Sequence, residues 1–416
     1  MSACGLDFGT SNSGVAVPAG DSIRLIELEA SSSSIPSAVF FATEQPQPVT
    51  YGREAVRDYL DGTPGRLMRS LKSLLGSTLI DEKTTVGDRS IAFTDILALY
   101  LRMLRERAEV SGGKALESVV LGRPVRFVDD DLERDRHAQT TLTSCARAAG
   151  FCNIEFQLEP VAAAFDYERT IAREEAVLVI DVGGGTADFT VIRLGPDRRS
   201  RTDRRPDVLA NGGVHIAGTD FDSRLNLSWV MPSLGYRSIG RRGLIIPSPI
   251  YFELSTWHEI NFLYSPRTRE TLRELQAFFI DPAPYARLCR VIDDRLGHEL
   301  LGRTEAAKVE LSQFTRAEID LSHVEARLAV TVERSGLLDL LANLLARLVT
   351  VGATTVRAAG LTPATISTLY FTGGSSGMTA LREAFRDAYP ESRVVVGDLF
   401  GSVVSGLGIE AQRRFV

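Results

Sequence analysis

The sequence predicts an α/β protein built from two related lobes, each carrying a smaller insert. Three observations predict it. GLDFGTSNSGVAV at 5–17 and VLVIDVGGGTADFTVI at 177–192 share one pattern: an apolar strand, Asp-x-Gly, a Gly/Ser/Thr turn and a second apolar strand. Short apolar strands alternate with amphipathic helical segments along the rest of the chain. No low-complexity tract separates the two copies, so the lobes are expected to be interleaved, not strung in series.

In chain order, residues 5–41 read as strands: the first hairpin, a strand near Ser22–Leu28, and IPSAVFF at 35–41. Residues 42–113 read as an insert with helices near 52–60 and 94–110. A buried strand at 118–124 returns to the core. A helix is expected from about Asp130 to Ala149, then a strand at 154–158 closed by Glu159-Pro160. Pro160 suits the first turn of a helix at 160–173. The second hairpin follows, then an Arg-rich loop at 193–207 read as solvated or as a dock for an acidic partner. NGGVHIAGTDFD at 211–222 reads as a Gly-rich strand-to-helix junction. Residues 224–300 hold Trp229 and Trp257 but no motif. Helices near 300–314 and 335–358 come next. The strand at 367–372 runs into Gly373-Gly374-Ser375-Ser376 and a helix at 379–389, a junction able to aim backbone donors at a ligand. A strand at 392–397 and a small-residue helix at 401–411 complete the reading. These divisions place lobe I at 1–176 with 391–416 and an insert at 37–113. Lobe II spans 177–390 with an insert at 224–313.

The turns suggest the ligand. Glycine-rich hairpin turns can take positive φ and line up backbone N–H groups as an anion cradle. Gly9, Thr10, Ser11 and Asn12 supply one turn; Gly183, Gly184, Gly185 and Thr186 supply the other. Asp7 and Asp181 end their strands just before the turns. Carboxylates there repel phosphate, yet fit when hydrated magnesium lies between, because magnesium keeps several waters and takes few carboxylates. Two such turns facing one ligand suit a nucleoside triphosphate with Mg2+.

Composition narrows the class. The chain has 416 residues, 44% hydrophobic and 24% charged, with net charge −6. These are values of a soluble globular protein and give no support to nucleic-acid or membrane binding. The N-terminus runs directly into a strand, so no signal peptide is expected. The most apolar run, Leu337–Val351, carries Asp339, Asn343 and Arg347 on one helical face and reads as amphipathic. Cys4, Cys145, Cys152 and Cys289 show no metal spacing; reduced thiols and a cytoplasmic location are expected. Only Lys72, Lys83, Lys114 and Lys308 are lysines among 47 basic residues. A lysine retained against that bias hints that a compact point charge is needed where the arginine fork does not serve.

Seven ordered blocks now add up: GLDFGTSNSGVAV, LKSLLG (71–76), LEPVAAAFDYE (158–168), VIDVGGGTADFTVI, HIAGTDFD, EAAKVELS (305–312) and FTGGSSGM (371–378). Their order resembles the ATPase domain of the seventy-kilodalton heat-shock chaperones, the DnaK type, and most nearly the short bacterial YegD-type members. The resemblance implies a two-lobed actin-like ATPase fold of ribonuclease-H-like repeats, and ATP/ADP with Mg2+ as ligands. It implies that Asp7 and Asp181 hold hydrated magnesium and that Gly9–Ser11 and Gly183–Thr186 wrap the phosphates. Lys72 reaches the γ-phosphate, Glu159 orients the attacking water, and Asp188 supports the second turn. Glu305, Lys308 and Ser312, at i, i+3 and i+7 of one helix, contact ribose and adenine. Gly218, Gly373, Gly374 and Ser375 line the nucleotide. Plainer readings stand beside these: Lys72 as a surface lysine, Glu159 as a helix-start acid favoured by the macrodipole, and Glu305 with Lys308 as a surface ion pair.

Two departures from the family pattern bear on function. Gly377 stands where the family carries an arginine that stacks on adenine, so weaker nucleotide binding is expected. The given chain ends at Val416, soon after the last ATPase motif, so an ATPase module without the peptide-gripping β-sandwich is expected. The reading is a slow Mg-ATPase of chaperone type, monomeric, acting with a separate client or co-chaperone. The alternative is a nucleotide sensor with little turnover. A sugar kinase would need a substrate pocket with a base Asp, and this sequence offers no such loop; HIAGTDFD with EAAKVELS points away from an actin-like polymer.

Overall fold

The computed structural model describes the whole chain except residues 1, 30, 44–48, 87, 88, 129, 130, 200, 202 and 203. By internal contacts the chain divides into two units, Met1–Gly218 with Leu345–Val416, and Thr219–Leu344.

The first unit holds two five-stranded paths of the same design. In one sheet the order is Asn153–Leu158, Ser118–Arg123, Ala3–Phe8, Asn12–Ala19, Ser22–Leu25, with Ser34–Pro36 pairing off Asn12–Ala19. In the other it is Arg393–Val396, Thr368–Thr372, Glu175–Val182, Ala187–Leu194, Val208–Val214. Each sheet pairs the leading hairpin strand parallel to a later strand on one side and antiparallel to its own return strand on the other. The duplication read from two short motifs therefore extends over whole sheets. The hairpin strands are buried almost throughout, which accounts for apolar runs instead of a strict two-residue alternation.

Helices Glu159–Glu168 and Ser402–Phe415 share one core with both sheets, through Val120, Val161, Phe165, Val177, Tyr370 and Leu407 among others. The small residues of the last helix serve its close approach. A Cβ on Gly406 would collide with the Ala162 carbonyl, and one on Gly5 with the Leu407 backbone.

Several boundaries shift from expectation for local reasons. The strand at 35–41 breaks at Ser37 into Ser34–Pro36 and Ala38–Ala42. The second piece joins Thr50–Tyr51 and Gly65–Arg69 in a three-stranded sheet beside helix Gly52–Leu60. Leu71–Gly76 forms a 3-10 turn. The long helix runs Leu132–Ala148, capped by Asp131, whose carboxylate accepts from Arg134 N–H at 3.0 Å. Asp130 lies outside the described residues, as do Ser200, Thr202 and Asp203 of the Arg-rich loop. The rest of that loop is not merely solvated: Arg204 is buried on Glu168 (2.7 Å) and Asp207 (2.6 Å).

In the second unit, helices Pro249–Leu254, Pro266–Gln276 and Pro282–Asp293 each open on proline, whose missing N–H costs nothing there. Helix Gly297–Glu310 and a hairpin of Arg316–Asp320 with Ala329–Glu333 follow. Helix Arg334–Ala358 is long and apolar enough to cross a membrane by length and composition. It buries Leu337, Leu341, Leu345 and Leu348 at helical spacing and exposes Asp339, Asn343 and Arg347, as an amphipathic helix does.

Candidate functional site

Both Asp-x-Gly turns fall in the first unit, and they touch. Asp7 stands one residue before the end of its strand, in register with Gly14, and Asp181 pairs across its hairpin with Asp188. Gly9, Gly184 and Gly185 are required for a reason other than the expected one, while a Cβ on Gly183 would meet only the Thr186 carbonyl at 3.7 Å. None of Gly9, Gly183, Gly184 and Gly185 has a positive φ; what they lack is a side chain. A Cβ on Gly184 would collide with Ser11 Oγ, and one on Gly185 would lie 2.7 Å from Thr10 Oγ1. The bare second turn makes room for the hydroxyls of the first. Positive φ falls instead at Gly373, at 81°, where a Cβ would strike the Asp181 carboxylate and the Val182 backbone.

Each turn is braced by a serine from a distant segment. Ser37 Oγ donates to the Gly9 carbonyl at 2.6 Å, and Ser375 Oγ donates to the Gly183 carbonyl at 2.8 Å. Gly183 N–H donates to the Thr186 carbonyl at 3.0 Å, and Gly218 N–H to the Gly183 carbonyl at 3.1 Å. Asn12 already belongs to the return strand, so the first turn is Gly9–Ser11. Gly374 opens the short 3-10 turn that carries Ser375.

Lys72 and Glu159 meet here as an ion pair. Lys72 is 7% exposed and its Nζ bonds Glu159 Oε1, the first residue of its helix. The surface-lysine reading therefore fails, and Glu159 is more than a helix-start acid. Burial pulls the Lys72 ammonium down, but the Glu159, Asp7 and Asp188 carboxylates outweigh it and hold it above its usual value. The aspartates are short of positive charge. Burial, with Glu159 adding to it, pushes Asp7 up to about 7 and Asp188 up to about 7. Asp181 is raised well above the ordinary value by burial, Glu159, Asp188 and Asp7. Asp188 keeps two donors, Val125 N–H at 2.7 Å and the Thr186 hydroxyl.

Four carboxylates against one ammonium, and an Asp7 Oδ1 buried without a hydrogen-bond partner, fit a divalent cation. Among the described residues no three metal-ligating side chains converge closely enough to hold one directly. A cation that keeps its water shell fits that spacing.

Three contributors escaped the sequence reading. Ser37 was read only as part of a strand, because its contact spans 28 residues. Gly122 lies in a buried strand; a Cβ there would sit 3.1 Å from Glu159 Cγ and 3.4 Å from Asp7 Oδ1. A glycine inside an apolar strand is a signal of close approach. Ser73, next to Lys72, brings its Oγ to 3.5 Å from where a Gly185 Cβ would stand.

In the second unit, Lys308 is buried and pairs with Asp222 Oδ1 at 2.7 Å, so it is not a surface lysine. Burial raises Asp222 to about 6 against the opposing pull of Lys308. Helix Gly297–Glu310 ends before Ser312, which corrects its placement on a helical face with Glu305; Ser312 Oγ reaches back to the Lys308 carbonyl at 3.5 Å.

Compared with known families, the chain matches the model described as Hsp70 protein over residues 3–232 and 290–394. The chain belongs to the Hsp70 family. Its fold is thus the two-lobed actin-like ATPase fold, and ATP binding with ATPase activity of chaperone type is the function that Hsp70 membership carries.

Proposed function

We propose that this Hsp70-family chain is a slow, magnesium-dependent ATPase of the short YegD type, cytoplasmic and monomeric, acting with a separate protein partner. The observation that carries the reading is the buried Lys72–Glu159 pair beside the facing turns, in a field of three proton-hungry aspartates. Asp7 and Asp181 would hold the hydrated ion, which supplies positive charge to the phosphates. The turn Gly9–Ser11, with the Thr10 and Ser11 hydroxyls, and the bare turn Gly183–Thr186 orient the phosphate chain. Lys72 carries a fixed positive charge toward the transferred phosphoryl group, where charge builds in the transition state. Glu159, held by Lys72 and lodged against Gly122, accepts from and aligns the attacking water. Glu305, Lys308 and Ser312 are assigned to the nucleoside, with Lys308 positioned by Asp222.

Single-turnover hydrolysis with Mg2+ tests this. Lys72→Ala and Glu159→Gln are each expected to slow cleavage by about 100- to 1000-fold while ATP still binds. A wild-type chain that binds ATP without cleaving it replaces the ATPase with the sensor. Gly377 favours that second reading, because no stacking cation stands there. A Cβ at 377 would meet the end of the Leu399 side chain, Cδ1 at 3.1 Å, which has to yield by a few tenths of an ångström. Gly377→Arg is expected to tighten ATP by about five- to tenfold, in line with one cation–π contact. An unchanged dissociation constant in equilibrium titration refutes the stacking argument.

A further inference from the structure

Residues 233–289 lie between the two stretches that match the Hsp70 family. Six of the fourteen large apolar side chains exposed among the described residues fall there: Ile239, Leu244, Ile245, Phe252, Phe262 and Ile280. That share is far above what the segment's length would bring, and clustered exposed apolar surface marks interaction sites.

The cluster is built, not frayed. Ile239 and Ile245 face each other in an antiparallel bridge, with Gly240 N–H donating to the Leu244 carbonyl at 2.7 Å and Ile246 N–H to the Ser238 carbonyl at 3.1 Å. The turn is clamped to the chain just before Ile280. Arg241 N–H donates to the Phe278 carbonyl at 2.8 Å and Arg241 Nε to the Phe279 carbonyl at 3.1 Å. Gly240 has to be glycine there, because a Cβ would collide with that Phe278 carbonyl. Phe252 joins through Tyr236, whose ring centroid lies 6.0 Å from its own. Ile239, Ile245 and Ile280 are 70%, 64% and 66% exposed.

Charge identifies the occupant. The Arg237 guanidinium lies over the Tyr236 ring at 5.1 Å, and Arg241 uses only Nε on a carbonyl. Among the described residues neither pairs with a carboxylate. Arginine beside exposed aliphatic side chains is the composition of protein interfaces, and a fixed cation favours partners that bring a carboxylate. Arg237 and Arg241, the two cations of the patch among the described side chains, are too few to track a phosphate backbone, and the chain's net charge of −6 opposes one. We propose that the 238–246 hairpin, with Ile280 and Phe252, docks a polypeptide segment that carries Asp or Glu beside Leu, Ile or Phe.

The test is selection of random twelve-residue peptides displayed on phage against the full chain, followed by fluorescence anisotropy of the enriched peptide. Enrichment of acidic residues next to large apolar ones is expected. Ile245→Ser should weaken that peptide at least tenfold, and Arg237→Glu should weaken it at least threefold and reduce its salt dependence. Urea midpoints and ATP binding of both variants should stay at wild-type values; Ile239→Ser serves if Ile245→Ser lowers the midpoint. Absence of enrichment, enrichment of basic peptides, or binding indifferent to these variants overturns the proposal. So does concentration-dependent dimerisation abolished by Ile245→Ser, which assigns the surface to a second copy. Binding of phosphatidylserine vesicles with the same dependence overturns it too, in favour of a lipid surface.

Discussion

In the first hairpin the acid Asp7 stands opposite Gly14; in the second, Asp181 stands opposite another acid, Asp188. The first turn carries the hydroxyls of Thr10 and Ser11, and the second is three glycines and a threonine. Both hairpins sit at the same place in sheets of the same strand order. The difference is a division of labour imposed by contact. Two turns this close cannot both bear side chains, so one supplies hydroxyls and the other supplies bare backbone. The acids divide unevenly as well. The second hairpin, anchored by Val125 N–H and Thr186, tolerates a like-charged cross-strand pair that would otherwise push its strands apart.

The uneven acids predict the largest effect. Asp7 and Asp188 have folded values of about 7 against an ordinary 3.8. A raised folded value means that the folded state binds more protons than the unfolded state between those limits. Stability from this source is therefore fully present below pH 4 and is lost as the pH rises through 7. The slope approaches about 1.4 kcal/mol per pH unit for each group. Urea midpoints of the ligand-free chain between pH 4.5 and 7.5 should fall with pH, and Asp7→Asn or Asp188→Asn should each flatten the fall. A slope unchanged in both variants means that the carboxylates are not short of charge, and the cation argument fails with it. Magnesium-nucleotide binding should run the other way and tighten as the pH rises through 7, since it favours the ionised acids.

The contact between the turns predicts the next effect. Gly184→Ala drives a methyl into Ser11 Oγ and should weaken ATP by about tenfold or more, the cost of displacing well-aligned phosphate donors. Adding Ser11→Gly removes the collision and should recover part of that loss, but not all, because a hydroxyl donor is gone. Additive losses in equilibrium titrations would show that the two turns act independently.

The comparison also separates what the sequence could reveal from what it could not. The duplicated hairpins were legible because buried strands and glycine turns leave a local signature, and the sheets followed from it. Lys72 and Glu159 were legible as functional only through the family blocks; 87 residues separate them, and nothing local announces that they meet. The glycines were found for the wrong physical reason. A sequence shows that a side chain is missing, but whether φ or a neighbour forbids one depends on what packs opposite. Ser312 slipped past its helix end because chain termination of a helix depends on the last turn's contacts. The helices between 249 and 293 offered only proline starts, with their apolar sides set by packing inside the second unit.

The two bracing serines give the smallest effect and the finest discrimination. Ser37 Oγ bonds the Gly9 carbonyl and also meets Ser13 Oγ at 2.9 Å, whereas Ser375 Oγ holds the Gly183 carbonyl alone. Both are buried, and losing one such hydrogen bond costs about 1 kcal/mol. Gly9 loses its single side-chain donor in Ser37→Ala, and Ser13 and Tyr100 each lose one partner with it, so the thermal midpoint should drop further than in Ser375→Ala. Gly183 keeps the Gly218 N–H as a second donor after Ser375→Ala, so its carbonyl stays satisfied and the turn holds its place. Thermal melts of the two variants should therefore rank Ser37→Ala below Ser375→Ala. The reverse ranking would mean that the second turn depends on its serine more than on Gly218, and that the helix start at 218 follows the turn instead of fixing it.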